Sequence, residues 1–161
     1  MEDLTLLHVG CANKYHEGFV NSDSRTGWEG KEYKLDEILD LSKPWHYEDD
    51  SVDGIVGMHV FQQLTWRELM VAFSEAYRVL KKGCALRIGC PTADMTDRAL
   101  GWLLGWNNIN LFNKEILEQV LVGHVGFSDF RECQYQGSSS KELAKVDNRP
   151  HRSTKYFEAI K

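Results

Sequence analysis

Several motifs that would assign a chemistry outright are absent from this sequence of 161 residues. It has four cysteines but no Cys-x-x-Cys pair, so neither a zinc ribbon nor a redox dithiol is predicted. Neither a His-x-x-x-His nor a His-Glu-x-x-His motif is present, and no metal site is expected. The phosphate-binding loop G-x-x-x-x-G-K-[ST] and the dinucleotide motif G-x-G-x-x-G are also missing, which disfavours a nicotinamide cofactor.

Long apolar runs and a positively charged N-terminus are missing too. No run approaches the length of a membrane span, and the acidic start Met1–Leu4 lacks the basic region of a signal peptide. The net charge of -5 argues against a general binder of nucleic acid, although Arg149, His151, Arg152 and Lys155 form a local basic cluster. We therefore expect a cytoplasmic protein with reduced cysteines that contacts no membrane.

What the sequence does contain is enough apolar material for one folded unit. Its hydrophobic content is 42% and its charged content 27%, which is ordinary for a globular protein. The length is typical of one domain. Residues 1–161 are accordingly predicted to form a single domain.

Two apolar runs end on small or polar residues, and the rest of the chain is organised around them. Thr5–Val9 runs into the turn Gly10-Cys11-Ala12-Asn13, and Val52–Val60 contains His59 near its end. Both are predicted to be buried parallel strands. Ligands of open α/β sheets bind outside the carboxyl ends of such strands, where the strand order reverses. The two strand ends are therefore predicted to form the walls of one crevice.

A helix is predicted directly after the strand Val52–Val60, and its first residues carry a recognisable cap. Thr65 and Glu68 form a capping box, and apolar residues then recur at helical spacing up to Leu80. Cys84–Cys90 follows as another strand, stopped by Pro91. The middle of the chain is therefore predicted to be a βαβ unit.

The link after the first strand is short. A second strand is predicted at Phe19–Asp23, about nine residues after Val9, whereas a parallel crossover with a packed helix needs a dozen or more. Either the crossover has lost its helix or the second segment is not parallel to the first. We favour the lost helix.

The remaining segments are assigned from turn residues and periodicity. We expect an exposed loop at Ser24–Lys34, a short strand at Leu35–Leu41, helices at Thr92–Gly105 and Asn113–Leu121, a strand at Gly126–Tyr135, a loop at Gln136–Glu142 and a last strand at Ser153–Ile160. The two last strands, joined without a helix, are predicted to pair antiparallel.

Taken in order, seven short segments resemble class I, Rossmann-like methyltransferases that use S-adenosylmethionine. Within this class, the chain resembles a compact branch similar to the methyltransferase type 11 group. The segments are His8-Val9-Gly10-Cys11-Ala12, Asn21-Ser22-Asp23, Asp40-Leu41-Ser42-Lys43-Pro44, Asp50–Asp53, Met58–Phe61, Tyr77–Cys84 and Leu86–Pro91. The resemblance implies an α/β fold with a mostly parallel sheet, a C-terminal antiparallel strand pair and a shortened or lost helix after the first strand.

The resemblance also implies a set of cofactor-binding residues for S-adenosylmethionine. They are Gly10, Cys11 and Ala12 near its amino-acid part, Asp23 at the ribose hydroxyls, Asp40 and the Leu41 backbone at the adenine, and His59 and Val60 on the floor beside the sulfonium. His59 is the candidate catalytic base because histidine titrates near neutral pH. The alternative is that His59 is a wall residue that packs against the cofactor.

Two departures from the family pattern leave a second function open. Ala12 stands where the family prefers glycine, and Gln62 and Gln63 replace the usual Glu-His pair. The leading hypothesis is methyl transfer to an unidentified acceptor, with a partner protein or a second copy completing the site. The alternative is a methyltransferase-like protein that has lost catalysis and serves as a binding or scaffold protein.

Overall fold

The computed structural model describes residues 4–92, 109–147 and 154–161. Nine strands and three α-helices are defined in these ranges. They are β1 (Leu6–Val9), β2 (Val20–Asp23), β3 (Gly27–Trp28), β4 (Lys31–Glu32), β5 (Glu37–Ile38), β6 (Gly54–Met58), α1 (Trp66–Val79), β7 (Ala85–Cys90), α2 (Lys114–Glu118), β8 (Asp129–Cys133), α3 (Lys141–Ala144) and β9 (Lys155–Ile160).

Seven of the strands form one sheet in the order β5-β2-β1-β6-β7-β9-β8. Strands β5, β2, β1, β6 and β7 are parallel, while β9 is antiparallel to both β7 and β8. The strand order reverses at β1, which pairs with β2 on one side and β6 on the other. This confirms the predicted fold class and puts the predicted crevice at the carboxyl ends of β1 and β6.

Helix α1 covers one face of the sheet. Thr65 accepts a hydrogen bond from the Glu68 backbone, and the Glu68 side chain accepts one from the Thr65 backbone, so the predicted capping box is present. Leu69, Phe73 and Ala76 are completely buried in the larger apolar cluster. The helix is therefore held by one apolar stripe, as its periodicity predicts.

The other face lacks a helix between β1 and β2. Residues 10–19 form turns, and β2 pairs parallel to β1, so the prediction of a lost crossover helix is confirmed. A smaller apolar cluster covers this face, in which Leu143 and Val146 from α3 and the residues after it pack near Leu6, Val56 and Tyr156. Residues late in the chain therefore contribute to covering this face of the sheet.

Two of the predicted loops are wrong in part. Within Ser24–Lys34, β3 and β4 form a small hairpin whose turn residues Glu29 and Gly30 both have positive φ angles. Within Gln136–Glu142, Ser140 caps helix α3 by accepting a hydrogen bond from the Leu143 backbone. The hairpin strands are two residues long and the helix four, so neither is long enough to produce a periodic pattern.

The predicted helix at Asn113 is confirmed and longer than expected. Asn113 caps α2 through the Ile116 backbone, and wider helical turns continue over Gln119–Val125 to Gly126, whose φ is 105°. Most of the predicted helix at Thr92–Gly105, and Arg149, His151 and Arg152 of the basic cluster, lie outside the described residues.

A buried ion cluster fixes the loop after β8. The guanidinium of Arg87 on β7 donates two hydrogen bonds to Asp147, at 2.9 and 2.7 Å, and one to Glu158 on β9 at 3.0 Å. Its remaining donors reach the carbonyls of Gln134 and Gly137, both at 3.1 Å. All three charged side chains are fully buried, and the hydrogen bonds offset the cost of removing them from water.

Candidate functional site

The turn after β1 is shaped by close contact with the end of β6. Gly10 has a φ of 62°, and a Cβ atom placed on it would lie 2.3 Å from Cγ2 of Val60. Only glycine fits there, because both the conformation and the space exclude a side chain. The turn and Val60, predicted to share one site, are therefore in direct contact.

The turn is also tied to the end of β2. The backbone N–H of Cys11 donates to the Ser22 carbonyl at 3.0 Å, and that of Ala12 donates to Oδ2 of Asp23, also at 3.0 Å. The other oxygen of Asp23 accepts from the Arg25 backbone at 3.1 Å. Asp23 is thus held beside the turn, at the sheet edge where the sequence predicts a ligand.

Ala12 itself adopts an unfavourable backbone conformation. Its φ is 48°, in the left-handed region where a Cβ atom costs about 1–2 kcal/mol. The substitution of alanine for the family's preferred glycine therefore leaves the turn formed but strained, and the strain coincides with the hydrogen bond to Asp23.

His59 directly follows β6 and is held by polar contacts with Gly89, Gln63 and Thr154. Its φ is 58°, its backbone N–H donates to the Gly89 carbonyl at 2.7 Å, and its carbonyl accepts from the Gln63 side chain at 2.7 Å. Its ring atom Nε2 lies 2.7 Å from Oγ1 of Thr154, the residue before β9. The ring is therefore anchored to a strand two positions away in the sheet.

Asp40 and Leu41 follow β5 in the chain. Oδ1 of Asp40 accepts from the backbone and the hydroxyl of Ser42, at 3.0 and 2.6 Å, and Lys43 forms an ion pair with Oδ2 at 2.9 Å. The hydrogen bonds from Ser42 and then Lys43 lower the pKa of Asp40 to about 2. Asp40 thus caps this loop, while its contact with an adenine ring stays a prediction.

Cys11 is the one thiol in the turn. It is buried, and burial first and the Asp23 charge second raise its pKa to about 12. All four cysteines are free, and the Cys11 thiol stays protonated near neutral pH. Cys11 therefore shapes the turn by packing and does not act as a nucleophile.

An amide replaces the missing helix in holding the short link. The Asn21 side chain donates to the carbonyls of His16 and Phe19, both at 2.9 Å, and accepts from the His16 backbone at 2.9 Å. Asp36 accepts from the Asn21 backbone at 2.8 Å. Asn21 lies in the motif Asn21-Ser22-Asp23, in which nothing marks its role, yet this buried residue organises the approach to the turn.

Gln62, which replaces a charged residue of the family pattern, is also buried. The residue is only 1% exposed. Its backbone carbonyl accepts hydrogen bonds from the backbone N–H groups of Ile109 and Asn110 at 2.9 and 3.0 Å. A neutral side chain is appropriate here because an unpaired charge would be costly to bury. The amide therefore avoids a buried charge, although its Oε1 atom is buried without a hydrogen-bond partner among the described residues.

The arrangement fits the nucleoside and amino-acid parts of a cofactor. Gly10 lets the turn pack closely against Val60, and Asp23 presents a carboxylate at the end of the neighbouring strand. Within the described ranges, no group of three or more His, Cys, Asp or Glu side chains could hold a metal ion. The described residues also include no helix long and apolar enough to cross a membrane.

Comparison with known proteins agrees with this fold. A family model described as a methyltransferase domain matches residues 22–88. That range runs from the end of β2 to β7 and includes Asp23, Asp40 and His59. The resemblance to class I methyltransferases is confirmed. No curated protein matches the sequence.

Solved methyltransferases share the fold along almost the whole chain. A S-adenosylmethionine-dependent methyltransferase from Archaeoglobus fulgidus has a TM-score of 0.68 and 16% identity, over 99% of this chain and 87% of the other. Another similar chain comes from the complex between the Haloferax volcanii Trm112 methyltransferase activator and a protein assigned as a methyltransferase. It has a TM-score of 0.68 and 13% identity, over 99% of this chain and 83% of the other. Phosphoethanolamine N-methyltransferase 2 of Haemonchus contortus, solved with S-adenosylmethionine, has a TM-score of 0.63 and 14% identity, over 100% and 49%. At these identities the likeness establishes the class I methyltransferase fold.

Proposed function

We propose that this protein binds S-adenosylmethionine and transfers its methyl group to an acceptor that is not yet identified. The observation that carries the proposal is the junction of Ala12 with Asp23, which joins the turn after β1 to the carboxylate that ends β2. This junction lies where the strand order reverses. The family match over residues 22–88 and the methyltransferase fold support the same function.

In this proposal the cofactor lies across the carboxyl ends of β2, β1 and β6. The backbone of Gly10, Cys11 and Ala12 borders its amino-acid part, and Asp23 accepts hydrogen bonds from its ribose hydroxyls. Asp40 and Leu41 border the adenine, and His59 and Val60 form the floor beside the sulfonium. Support for this assignment comes from the contact of Gly10 with Val60 and of Ala12 with Asp23.

The proposed chemistry makes modest demands on the protein. The cofactor supplies a methyl group on an excellent leaving group, so the protein must mainly align the acceptor with it. A base is needed only where the acceptor must lose a proton. His59 is the candidate for that role, and its contact with Thr154 also suits the alternative of an anchored wall residue.

A partner protein is a further part of the proposal. One of the structurally similar chains was solved in a complex with a methyltransferase activator. By analogy, a partner or a second copy of this chain would complete the site for the acceptor. The alternative of a non-catalytic scaffold is not favoured by the matches described above, which are with methyltransferases.

Transfer of a labelled methyl group tests the proposal. The protein is incubated with methyl-labelled S-adenosylmethionine and size-fractionated cell extract, and label is counted in small molecules, nucleic acid and protein. We expect incorporation above background that disappears in Asp23→Ala. Cofactor binding without incorporation into any fraction would favour the scaffold alternative instead.

A further inference from the structure

Thr154 lies at the same edge of the sheet as the proposed methyl-donor site, although no motif marks it. It directly precedes β9, and the last pair of the β7–β9 ladder is Cys90 with Lys155. Thr154 is therefore just beyond the carboxyl end of β7. It is completely buried, so its hydroxyl group requires a hydrogen-bond partner inside the protein.

The partner is the imidazole of His59. Oγ1 of Thr154 lies 2.7 Å from Nε2 of His59, although the residues are 95 positions apart in sequence. The backbone N–H of His59 is held in addition by the Gly89 carbonyl on β7. The side chain thus reaches across the end of β7 to β9, and the hydroxyl fixes where the ring lies.

His59 needs such an anchor because its backbone is in a costly conformation. Its φ is 58°, in the left-handed region that few non-glycine residues adopt. The next residue, Val60, owes its position to this bend. Its Cγ2 atom would lie 2.3 Å from a Cβ atom on Gly10, so it packs directly on the turn after β1.

We infer that Thr154 is a positioning residue for the methyl-donor site, acting through His59 and Val60 on the turn at Gly10. This inference rests on the proposed function, since the turn is where the cofactor would bind. The hydroxyl holds the imidazole, the held imidazole stabilises the left-handed bend, and the bend presses Val60 against Gly10. Thr154 touches no cofactor itself and gives this edge of the site its shape.

Three variants and two readouts test the inference. Thr154→Val keeps the shape and removes the hydroxyl, Thr154→Ser keeps the hydroxyl, and Thr154→Ala serves if the valine variant does not fold. The readouts are the dissociation constant for S-adenosylmethionine by calorimetry and the nitrogen chemical shifts of the His59 imidazole by NMR. We expect Thr154→Val to weaken binding about tenfold and to move the imidazole shifts, whereas Thr154→Ser stays within about twofold of the parent.

Each outcome decides between a positioning and a merely structural role. Thr154→Val with a lower melting temperature but unchanged dissociation constant and imidazole shifts would overturn the inference. The inference would also be overturned if the dissociation constant and the imidazole shifts of Thr154→Ser differed from the parent as much as those of Thr154→Val. A parent protein that does not bind S-adenosylmethionine would overturn the proposed function, and the inference with it. Normal binding by both the parent and Thr154→Val would overturn the inference alone.

Discussion

The backbone N–H of Ala12 donates a hydrogen bond to Oδ2 of Asp23 over 3.0 Å. A carboxylate offers about four acceptor positions. Among the described residues, Asp23 uses two of them, for Ala12 and for the Arg25 backbone. The same group can thus hold the turn and still accept from the two hydroxyls of a ribose. This dual use explains how a turn without a following helix could bind a nucleoside.

Ala12→Gly is expected to stabilise the protein slightly. Relief of the left-handed strain stabilises the folded protein by about 1–2 kcal/mol. The greater freedom of glycine in the unfolded chain offsets about 0.5–1 kcal/mol of this stabilisation. Urea unfolding should therefore show a net gain of about 0–1.5 kcal/mol. The control is Ala72→Gly in the middle of α1, which should cost about 1 kcal/mol or more. A loss of stability in Ala12→Gly would mean that the strain assigned to Ala12 is wrong.

Gly10→Ala is expected to destabilise the protein for two separable reasons. The new Cβ would collide with Val60, and the φ of 62° would be strained. Gly18 isolates the second reason, since its φ is 84° and no heavy atom of the described residues lies within 4 Å of a Cβ atom placed on it. Urea unfolding without cofactor should show a loss of about 1 kcal/mol for Gly18→Ala and about 3 kcal/mol for Gly10→Ala.

A double variant checks the collision with Val60 directly. In Gly10→Ala/Val60→Ala, we expect the combined loss to be smaller than the sum of the two single losses by about 1–2 kcal/mol. Additive losses would show that Gly10 and Val60 do not press against each other. The contact between the turn and the end of β6 would then have to be abandoned.

His8 makes stability depend on pH. Burial is the main cause that lowers the pKa of His8 from 6.5 to about 4. The hydrogen bond with Asn21 raises the pKa by a smaller amount, and the nearby His16 lowers it further. The folded protein therefore binds fewer protons than the unfolded chain between these values, and stability falls as the pH drops from 6.5 to about 4. The full loss is about 3 kcal/mol.

The dependence on His8 is checked by measuring the free energy of unfolding across that pH range. His8→Gln should lose less stability than the parent over the range, because the titrating group is gone. His124→Gln, which replaces an exposed histidine, should behave like the parent. Parallel curves for the parent and His8→Gln would show that His8 is not buried in its neutral form.

The two arginines that bind Glu158 should differ strongly in their contribution to stability. Arg87 is fully buried with Glu158 and Asp147. Arg87→Ala leaves Asp147 without a cation among the described residues and leaves Glu158 with only the partly exposed Arg131, and it should cost about 3–5 kcal/mol. Arg131 contacts the same carboxylate at 3.0 Å but its side chain is 46% exposed, and Arg131→Ala should cost below about 1 kcal/mol. Chemical unfolding of both variants measures the difference, and equal losses would contradict the role given to burial.

Local signals in the sequence were sufficient for the framework of the fold. The strands at β1, β6 and β7 follow from apolar runs, and the starts of α1 and α2 follow from the caps at Thr65 and Asn113. The lost helix follows from the length of one link. These features depend on neighbouring residues only, so a single sequence contains them.

Contacts between distant residues could not be predicted in the same way. Arg87 and Glu158 are 71 positions apart, and His59 and Thr154 are 95 apart. Arg87, a charged residue within the apolar strand Ala85–Cys90, needs a buried partner, for which no prediction was made. Its identity depends on β9 inserting between β7 and β8, which no local pattern encodes. Ala12 and Asp23 were predicted to lie in the same site, but the hydrogen bond between them was not predicted.

Calorimetric titration with S-adenosylmethionine tests the central claim most directly. The parent protein should bind one equivalent, and Asp23→Ala should bind about 10–100 times more weakly because charge-assisted hydrogen bonds to the ribose are lost. Glu32→Ala, which removes an exposed carboxylate on the nearby hairpin, should bind like the parent. Absence of heat and of any thermal shift at millimolar cofactor, or equal binding by the parent and Asp23→Ala, would contradict the account.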